Sequence, residues 1–515
     1  MKANVIFWAA LLAVAAAGTW LRADRLGARP MHTDEAVQAV KFGELLEQGR
    51  YVYNPREYHG PTLYYMTVPW ARALGARTLA DMTEIRLRAL PVAFGVGILL
   101  LAALLAPAIG RGGAVAAAAG LALNPFLVYF SRYYIQETLL VFFTAAAVAC
   151  GWRYLRRPAA GWAAAAGLAV GLMFATKETA AVACAAAAAG LAAAGALGRD
   201  GEGRRRWSAV RPLHAAVFAA AAAAVFVCFF SSFFTHGRGL WDAVAAYGFF
   251  AQRAGGAGHE KGWPYYLQIL FLHRAGPLGI WSQWPLLLFG GAGAWFAFRG
   301  GPGAPPSPRL ARFLAVFAAA TFVLYSAIPY KTPWLILTPV WALSMLAGIG
   351  ARGLWLAGRG SAIRVLLGLA LAAGAGDLLR QGKWINGRYA ADPRNPCAYE
   401  HTSSDLVHGV RTVLDAAAAA PEGAQLPVRV ISQEYWPLPW YLRSLPNVGY
   451  WTEIPDSADA PVIVASPNLM PALEARLRDI YVPSVVGLRP GVALQILVRE
   501  DLWQKLLERR TPQRP

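Results

Sequence analysis

The sequence predicts a polytopic α-helical membrane protein that carries a small α/β domain at its C-terminal end. Three observations predict it. Of 515 residues, 57% are hydrophobic and 15% charged, where soluble domains carry about 25% charged residues. About eleven apolar stretches approach the roughly 20 residues needed to cross about 30 Å of hydrocarbon. Beyond residue 380 these give way to short β-branched runs alternating with helical segments.

The predicted spans lie near 5–21, 89–109, 114–130, 138–152, 161–176, 180–198, 213–234, 277–298, 313–328, 333–350 and 365–380. This makes residues 1–380 a transmembrane domain of about 11 transmembrane helices and 381–515 a separate tail domain. With a cytoplasmic N-terminus, the inside segments hold about sixteen Lys or Arg and two acids, including Arg153, Arg156, Arg157 and the run Arg204, Arg205, Arg206. The outside segments before the tail hold about seventeen basic and twelve acidic residues over a much longer length. That asymmetry is the positive-inside pattern. It accounts for most of the net charge of +19 without a nucleic-acid partner, and it places the tail outside the cell membrane. The first apolar run reads as an uncleaved anchor, since Trp20, Leu21 and Arg22 make a poor cleavage region; a signal peptide is the alternative. Three of the 4 Cys fall in or beside spans, leaving Cys397 outside.

Between the spans, the exterior loop 22–88 contains a helix running to Gly49, with Thr33 as N-cap and Asp34 and Glu35 in its first turn, and an aromatic helical piece from Pro61 to Leu74. A second exterior loop, 235–276, carries His259, Glu260, Lys261, Trp263 and Tyr265. In the tail, 405–420 reads as a helix. Val428–Ile431, Val462–Ala465 and 493–498 read as buried strands, with a helical segment at 471–479.

With this orientation every unusual polar cluster falls on the outer face: Asp34 and Glu35, Arg132 and Glu137, Lys177 and Glu178, His259 to Lys261, and Lys331. Ionisable residues at membrane depth are costly and mark functional sites. Each cluster also has a plain structural reading: first-turn acids, an interfacial ion pair, a polar hairpin turn, a snorkelling lysine. His32, His59 and His259 show no metal-ligand spacing, and a divalent metal stays open as a cofactor. Carboxylates mixed with cations suit sugar transfer. A carboxylate takes the proton of an attacking hydroxyl while Lys or Arg stabilises a departing phosphate. Outside the cell, the natural donor is a sugar phosphate carried on a membrane lipid.

The Asp34-Glu35 pair, the stretch Ser131-Arg132-Tyr133-Tyr134-Ile135-Gln136-Glu137 leading into Thr138 to Phe143, and Gly171 to Lys177 resemble the GT-C superfamily of integral-membrane glycosyltransferases. They are most similar to its protein O-mannosyltransferase and lipid A aminoarabinose transferase group. Tyr58 to Tyr65, Gly258 to Tyr266 and Trp436 to Arg443 further resemble the flippase-activity-associated proteins of archaeal-type glycosylation.

The resemblance implies a GT-C-like fold and inverting transfer from a polyprenyl-phosphate sugar lipid to an acceptor glycan, lipid or protein. Asp34 would be the base, with Glu35 and Glu137 as supporting acids and Arg132, Lys177 and Lys331 as phosphate partners. His59, His259, Glu260, Lys261, Trp263, Tyr265, Trp436 and Trp440 would contact substrate, the tail aromatics alternatively seating the tail on headgroups. The chain departs from the mannosyltransferase pattern in having Glu rather than Asp at 137. A non-catalytic carrier or accessory protein for lipid-linked sugars is the alternative function.

Overall fold

The computed structural model describes residues 2–196, 210–256, 258–274 and 279–510; the Arg204 to Arg206 run lies outside them. Among the described residues the predicted apolar stretches fall mainly on helix; the one expected at 277–298 includes a short strand, Ile280–Trp281, and turns helical only at Trp284. Among the described residues, seven helical segments are long and apolar enough to cross a membrane: 3–23, 84–109, 137–156, 212–230, 308–327, 333–357 and 361–386. The other four expected spans fall on shorter helices: Arg111–Leu123, Ala160–Thr176, Ala180–Ala196 and Trp284–Arg299. The stretch expected at 114–130 is interrupted because Pro125 has no N–H to continue the ladder. Asn124 starts a new helix, Pro125–Phe130, by accepting from Leu127 N at 3.2 Å.

Small residues bring these helices into backbone contact, as expected where lipid removes the hydrophobic drive for association. A Cβ on Gly350 would lie 1.9 Å from the Phe289 carbonyl oxygen, and one on Gly293 2.0 Å from that of Leu346. The Ala- and Gly-rich spans therefore pack by backbone fit as much as by side-chain volume.

Loop 22–88 forms two helices, Thr33–Gln48 and Thr62–Ala73. The first is capped by His32, not by Thr33 as the sequence suggested. The His32 ring accepts from Asp34 N at 3.1 Å, and Glu35 reaches back to His32 N at 3.1 Å. Histidine can fill the role of a shorter polar cap because Nδ1 lies at the same remove from the backbone as an Asn oxygen. The following span starts at Glu84, five residues before the apolar run, because Thr83 caps Arg86 N. That added length puts Glu84 and Arg88 on a rigid helix. Loop 235–276 contains a further helix, Gly239–Arg253, which hydropathy did not single out: Ala243 and Ala246 are buried while Trp241 and Val244 face out. It is followed by Tyr265–Phe271 and a short hairpin, β1 (His273–Arg274) and β2 (Ile280–Trp281).

The tail holds β3 (Val428–Ile431), β4 (Val448–Trp451), β5 (Val462–Ala465), β6 (Tyr481–Arg489) and β7 (Val492–Arg499) in the order β4-β3-β5-β7-β6. β3 pairs in parallel with β4 and β5, and β7 antiparallel with β5 and β6. Helices Ser404–Ala419 and Glu500–Arg510 cover one face through Leu406, Val410, Leu502 and Leu506. Met470 and Leu473 close the other against Ile431 and Ile463. β4 and β6 were not anticipated: β4 contains Gly449, and every residue of β4 is half-buried, so neither carries the continuous apolar run of β5.

Gly350→Val should prevent the approach to Phe289, at a cost of about 1–3 kcal/mol or more, seen as a clear fall in unfolding temperature in detergent. Gly291→Ala, with nothing within 4 Å of the new Cβ, should leave it unchanged.

Candidate active site

The site is built on a buried ion pair. Arg88 and Glu35, both fully buried, meet through two bonds of 2.8 Å, Nε to Oε1 and Nη2 to Oε2. The remaining lone pairs of Glu35 accept from His32 N at 3.1 Å and Tyr134 N at 2.9 Å. Arg88 also donates to the carbonyls of Leu26, Arg29 and Pro30. One salt bridge thus holds the chain before Asp34, the start of its helix, and the 131–136 segment. Burial pushes the Glu35 carboxyl up, but Arg88 and Arg29 outweigh it and hold the group down to about 2.

Two more arginines tighten the same loop. Arg29 lies over the Tyr133 ring at 3.6 Å and donates to Arg132 O at 2.6 Å. Arg132 donates to the carbonyls of Leu21, Arg22, Asp24 and Arg25. The tail docks here as well. Tyr441 OH accepts from Met31 N at 2.8 Å, Arg443 donates to Met82 O, and Trp440 Nε1 donates to Glu84 at 2.8 Å.

Against this rigid frame Asp34 is half-exposed. Among the described residues the nearest basic group to its carboxylate is the His32 ring, Nδ1 at 3.9 Å, which accepts a hydrogen bond and carries no proton there. A cavity is lined by Tyr58, His59, Lys177, Glu178, Arg253 and Tyr330 among others; Asp34 is not in its wall and is linked to it through Tyr330. Tyr330 sits at the centre of the charges. Its hydroxyl, raised above its ordinary value first by burial, feels Lys177, Asp34, Glu137 and Arg253. Lys177 is paired with Glu137. Glu178 accepts from His59 Nδ1 at 2.7 Å and Tyr53 OH at 3.2 Å.

The other wall is the 256–264 loop, which pairs with 329–331. Lys261 N donates to Pro329 O and Lys331 N to His259 O. His259 bonds Tyr399 OH at 2.5 Å, and the Lys261 amine lies 4.3 Å over the Tyr399 ring. The His32 ring must donate from Nε2, since Nδ1 accepts, and it does so to Tyr399 O at 2.8 Å.

The structure therefore gathers Asp34, Glu137, Lys177, His59, His259 and Lys261 around one region and turns other expected residues to different tasks. Glu35 is a positioning residue with every oxygen lone pair used. Arg132 has its donors on backbone carbonyls, and the Lys331 amine is likewise taken by the carbonyls of Ile328 and Lys261, so neither is presented to a phosphate. Trp440 is fully buried and cannot stack on a sugar. Glu260 accepts from Gly258 N at the surface, Trp263 is exposed, Tyr265 lies 5.3 Å from Lys261, and Trp436 stacks on Tyr435.

Sequence reasoning missed Arg253, Tyr58, Tyr330 and Tyr399 as members of this region. Arg253 had one available signal, a basic residue in the last turn of an amphipathic helix. Among the described residues no group of three or more His, Cys, Asp or Glu is placed to hold a metal ion.

Comparison with known proteins agrees with this architecture. Residues 62–199, about a quarter of the chain, match the family described as dolichyl-phosphate-mannose-protein mannosyltransferase. No curated protein is matched by sequence over the chain. Among solved structures, ArnT from Cupriavidus metallidurans bound to undecaprenyl phosphate superposes with a TM-score of 0.59 at 16% identity, covering 97% of this chain and 99% of that one. The oligosaccharyltransferase AglB from Archaeoglobus fulgidus, in complex with an inhibitory peptide and a dolichol-phosphate, gives 0.60 at 13% identity, covering 98% and 77%. The chain has the fold of these two proteins over nearly its whole length.

Arg88→Met should cost about 3–5 kcal/mol by leaving a buried carboxylate unpaired. Adding Glu35→Leu should restore part of this, but not all, because His32 N and Tyr134 N stay unsatisfied. The Glu35 carboxyl titrates at about 2 in the fold against an ordinary 4.5. Its contribution is therefore complete above pH 4.5 and lost as pH falls towards 2. Unfolding temperatures from pH 6 to 2 should show this loss in the wild type and not in the double variant.

Proposed function

We propose that this chain is a membrane glycosyltransferase that moves a sugar from a polyprenyl-phosphate donor to an acceptor hydroxyl on the outer face of the cell membrane, with the N-terminus cytoplasmic and the tail domain outside. The observation that carries the reading is Asp34: a half-exposed carboxylate with no strong ion pair among the described residues, whose charge acts on Tyr330, a residue of the cavity that Lys177 and Arg253 also line. In a helical protein rich in buried, paired charges, a carboxylate left free is available to accept a proton.

In this reading Asp34 takes the proton of the attacking hydroxyl as the oxygen closes on the anomeric carbon from the face opposite the phosphate, inverting it. Lys177 and Arg253 meet the phosphate as its charge develops. Glu137 fixes Lys177, and Glu35 and Arg88 hold the helix that carries Asp34. A soluble donor would need no cavity among spanning helices; a lipid-linked one has its chain in the bilayer and its headgroup at this level. The arginine-rich inner segments read from the sequence support the orientation.

Asp34→Asn should lower transfer from a polyprenyl-phosphate sugar in proteoliposomes by about 100-fold or more while the unfolding temperature stays within about a degree, because the carboxylate makes no bond that the fold needs. Full activity in this variant, or movement of the donor across the bilayer without transfer, would contradict the reading. Lys177→Met should raise the donor KM as well as lower kcat, measured by initial rates over a range of donor concentrations.

A further inference from the structure

Glu178 and His59 form a second acid–base couple that the proposed reaction has not used. They come together because the chain at 58–60 is pressed onto the end of helix Ala160–Thr176. Gly60 has no room for a side chain, since a Cβ there would lie 2.2 Å from the Ala175 carbonyl oxygen. The residues that follow this helix, Lys177 and Glu178, therefore face His59 directly. Glu178 is held twice, by His59 Nδ1 at 2.7 Å and by Tyr53 OH at 3.2 Å. Burial raises its carboxyl, but His59, a backbone N–H and Lys177 together outweigh burial and hold it down to about 2, so it stays ionised.

A carboxylate on Nδ1 decides which ring nitrogen is available. Nδ1 donates to Glu178, and Nε2 has no hydrogen bond among the described residues. The His59 side chain is 30% exposed and lines the cavity with Lys177 and Arg253. This is a carboxylate-oriented imidazole aimed at open space, which differs from the neighbouring His259 and His32, whose rings are tied to the Tyr399 hydroxyl and carbonyl.

The charges around it say what the ring is for. Lys177 is matched by Glu137. Behind Tyr58, Lys41 is paired with Glu44, and on the facing helix Asp242 lies with Arg238. At the rim Arg253 donates to the Arg56 carbonyl, and Lys261 and Lys331 lie on the facing 256–264 and 329–331 segments. Tyr247 and Tyr330 are neutral phenols. A phosphodiester donor leaves as a phosphate monoester with up to two negative charges, and among the described residues lining the cavity His59 is the imidazole, with Nδ1 held by Glu178 and Nε2 left to carry a proton.

We infer that His59, oriented by Glu178, is the proton donor to the departing lipid phosphate. This rests on the glycosyltransferase reading above. As the bond from the anomeric carbon to the phosphate oxygen breaks, its electron pair stays on that oxygen, which takes the Nε2 proton of the imidazolium. The imidazole is left neutral, with Nδ1–H on Glu178. The acceptor oxygen forms the new bond and its proton passes to Asp34. The lipid phosphate leaves as the monoanion. Asp34 then gives its proton to water and His59 takes one back, so no further reactant is needed.

The test is a pH–rate profile of the full chain in proteoliposomes with a polyprenyl-phosphate sugar. His59→Gln should lower kcat by about 100-fold, change the donor KM by less than about threefold, and remove the alkaline limb of the wild-type profile. Glu178→Gln should keep that limb but move it to lower pH, since loss of the carboxylate disfavours the protonated ring. Adding imidazole to His59→Ala should restore turnover, with rates across substituted imidazoles following the acidity of their protonated forms, a dependence that a structural role would not produce. An unchanged alkaline limb in His59→Gln, or no rescue by any imidazole, would overturn the assignment while leaving Asp34 and the transfer reaction in place. Wild-type protein that transfers no sugar, indistinguishable from Asp34→Asn, would remove the transferase reading itself and this inference with it.

Discussion

The buried pair of Glu35 and Arg88 is the interaction on which the remaining geometry depends. It closes four things at once: the chain at 26–30, the capped start of the Asp34 helix, the turn at Tyr134 and the first turns of the span beginning at Glu84. An isolated ion of this kind would be expelled from such an environment, because taking a charge out of water costs several kcal/mol. Here both groups have their hydrogen-bonding capacity filled, so the cost is met by geometry, and the geometry fixes where the next residue, Asp34, points.

That division of labour recurs across the molecule. Arg132, Lys331 and Arg22 end on backbone carbonyls, satisfying groups where chain leaves a helix and no ladder continues. Lys177 and His59 end on carboxylates that leave one side of each facing the cavity. A buried cation that ends on several backbone carbonyls is a structural clamp; one held by a single carboxylate at a cavity remains able to meet a ligand. The same residue types therefore serve two functions a few ångströms apart, and burial together with partner type tells them apart.

Much of this was legible in the sequence. Apolar runs gave the helices, and β3 and β5 were located with the limits observed, since a fully buried strand reads as an uninterrupted β-branched run. The arginine bias of the loops led to the expectation that Asp34, Glu137 and Lys177 lie together; in the structure Lys177 pairs with Glu137, and all three act on Tyr330. What could not be read was which of Asp34 and Glu35 stays free. The choice is made by Arg88, 53 positions along the chain from Glu35, which hydropathy assigns to the polar edge of a span. Nor could the sequence show that Arg132 and Lys331 donate to backbone carbonyls, because it shows a charge near the membrane but not the groups folded against it. The helix carrying Arg253 was hidden because its apolar face is divided between protein and surroundings, leaving no run long enough to notice.

The central claim is that the space between Asp34, Lys177 and Arg253 receives a sugar phosphate. Cryo-electron microscopy of the Asp34→Asn chain with an unhydrolysed polyprenyl-phosphate sugar tests it most directly. The account predicts the phosphate in contact with Lys177 and Arg253, the anomeric carbon facing residue 34, and the lipid chain running out between helices. A headgroup bound away from residue 34, or a cavity left empty at saturating donor, would contradict it.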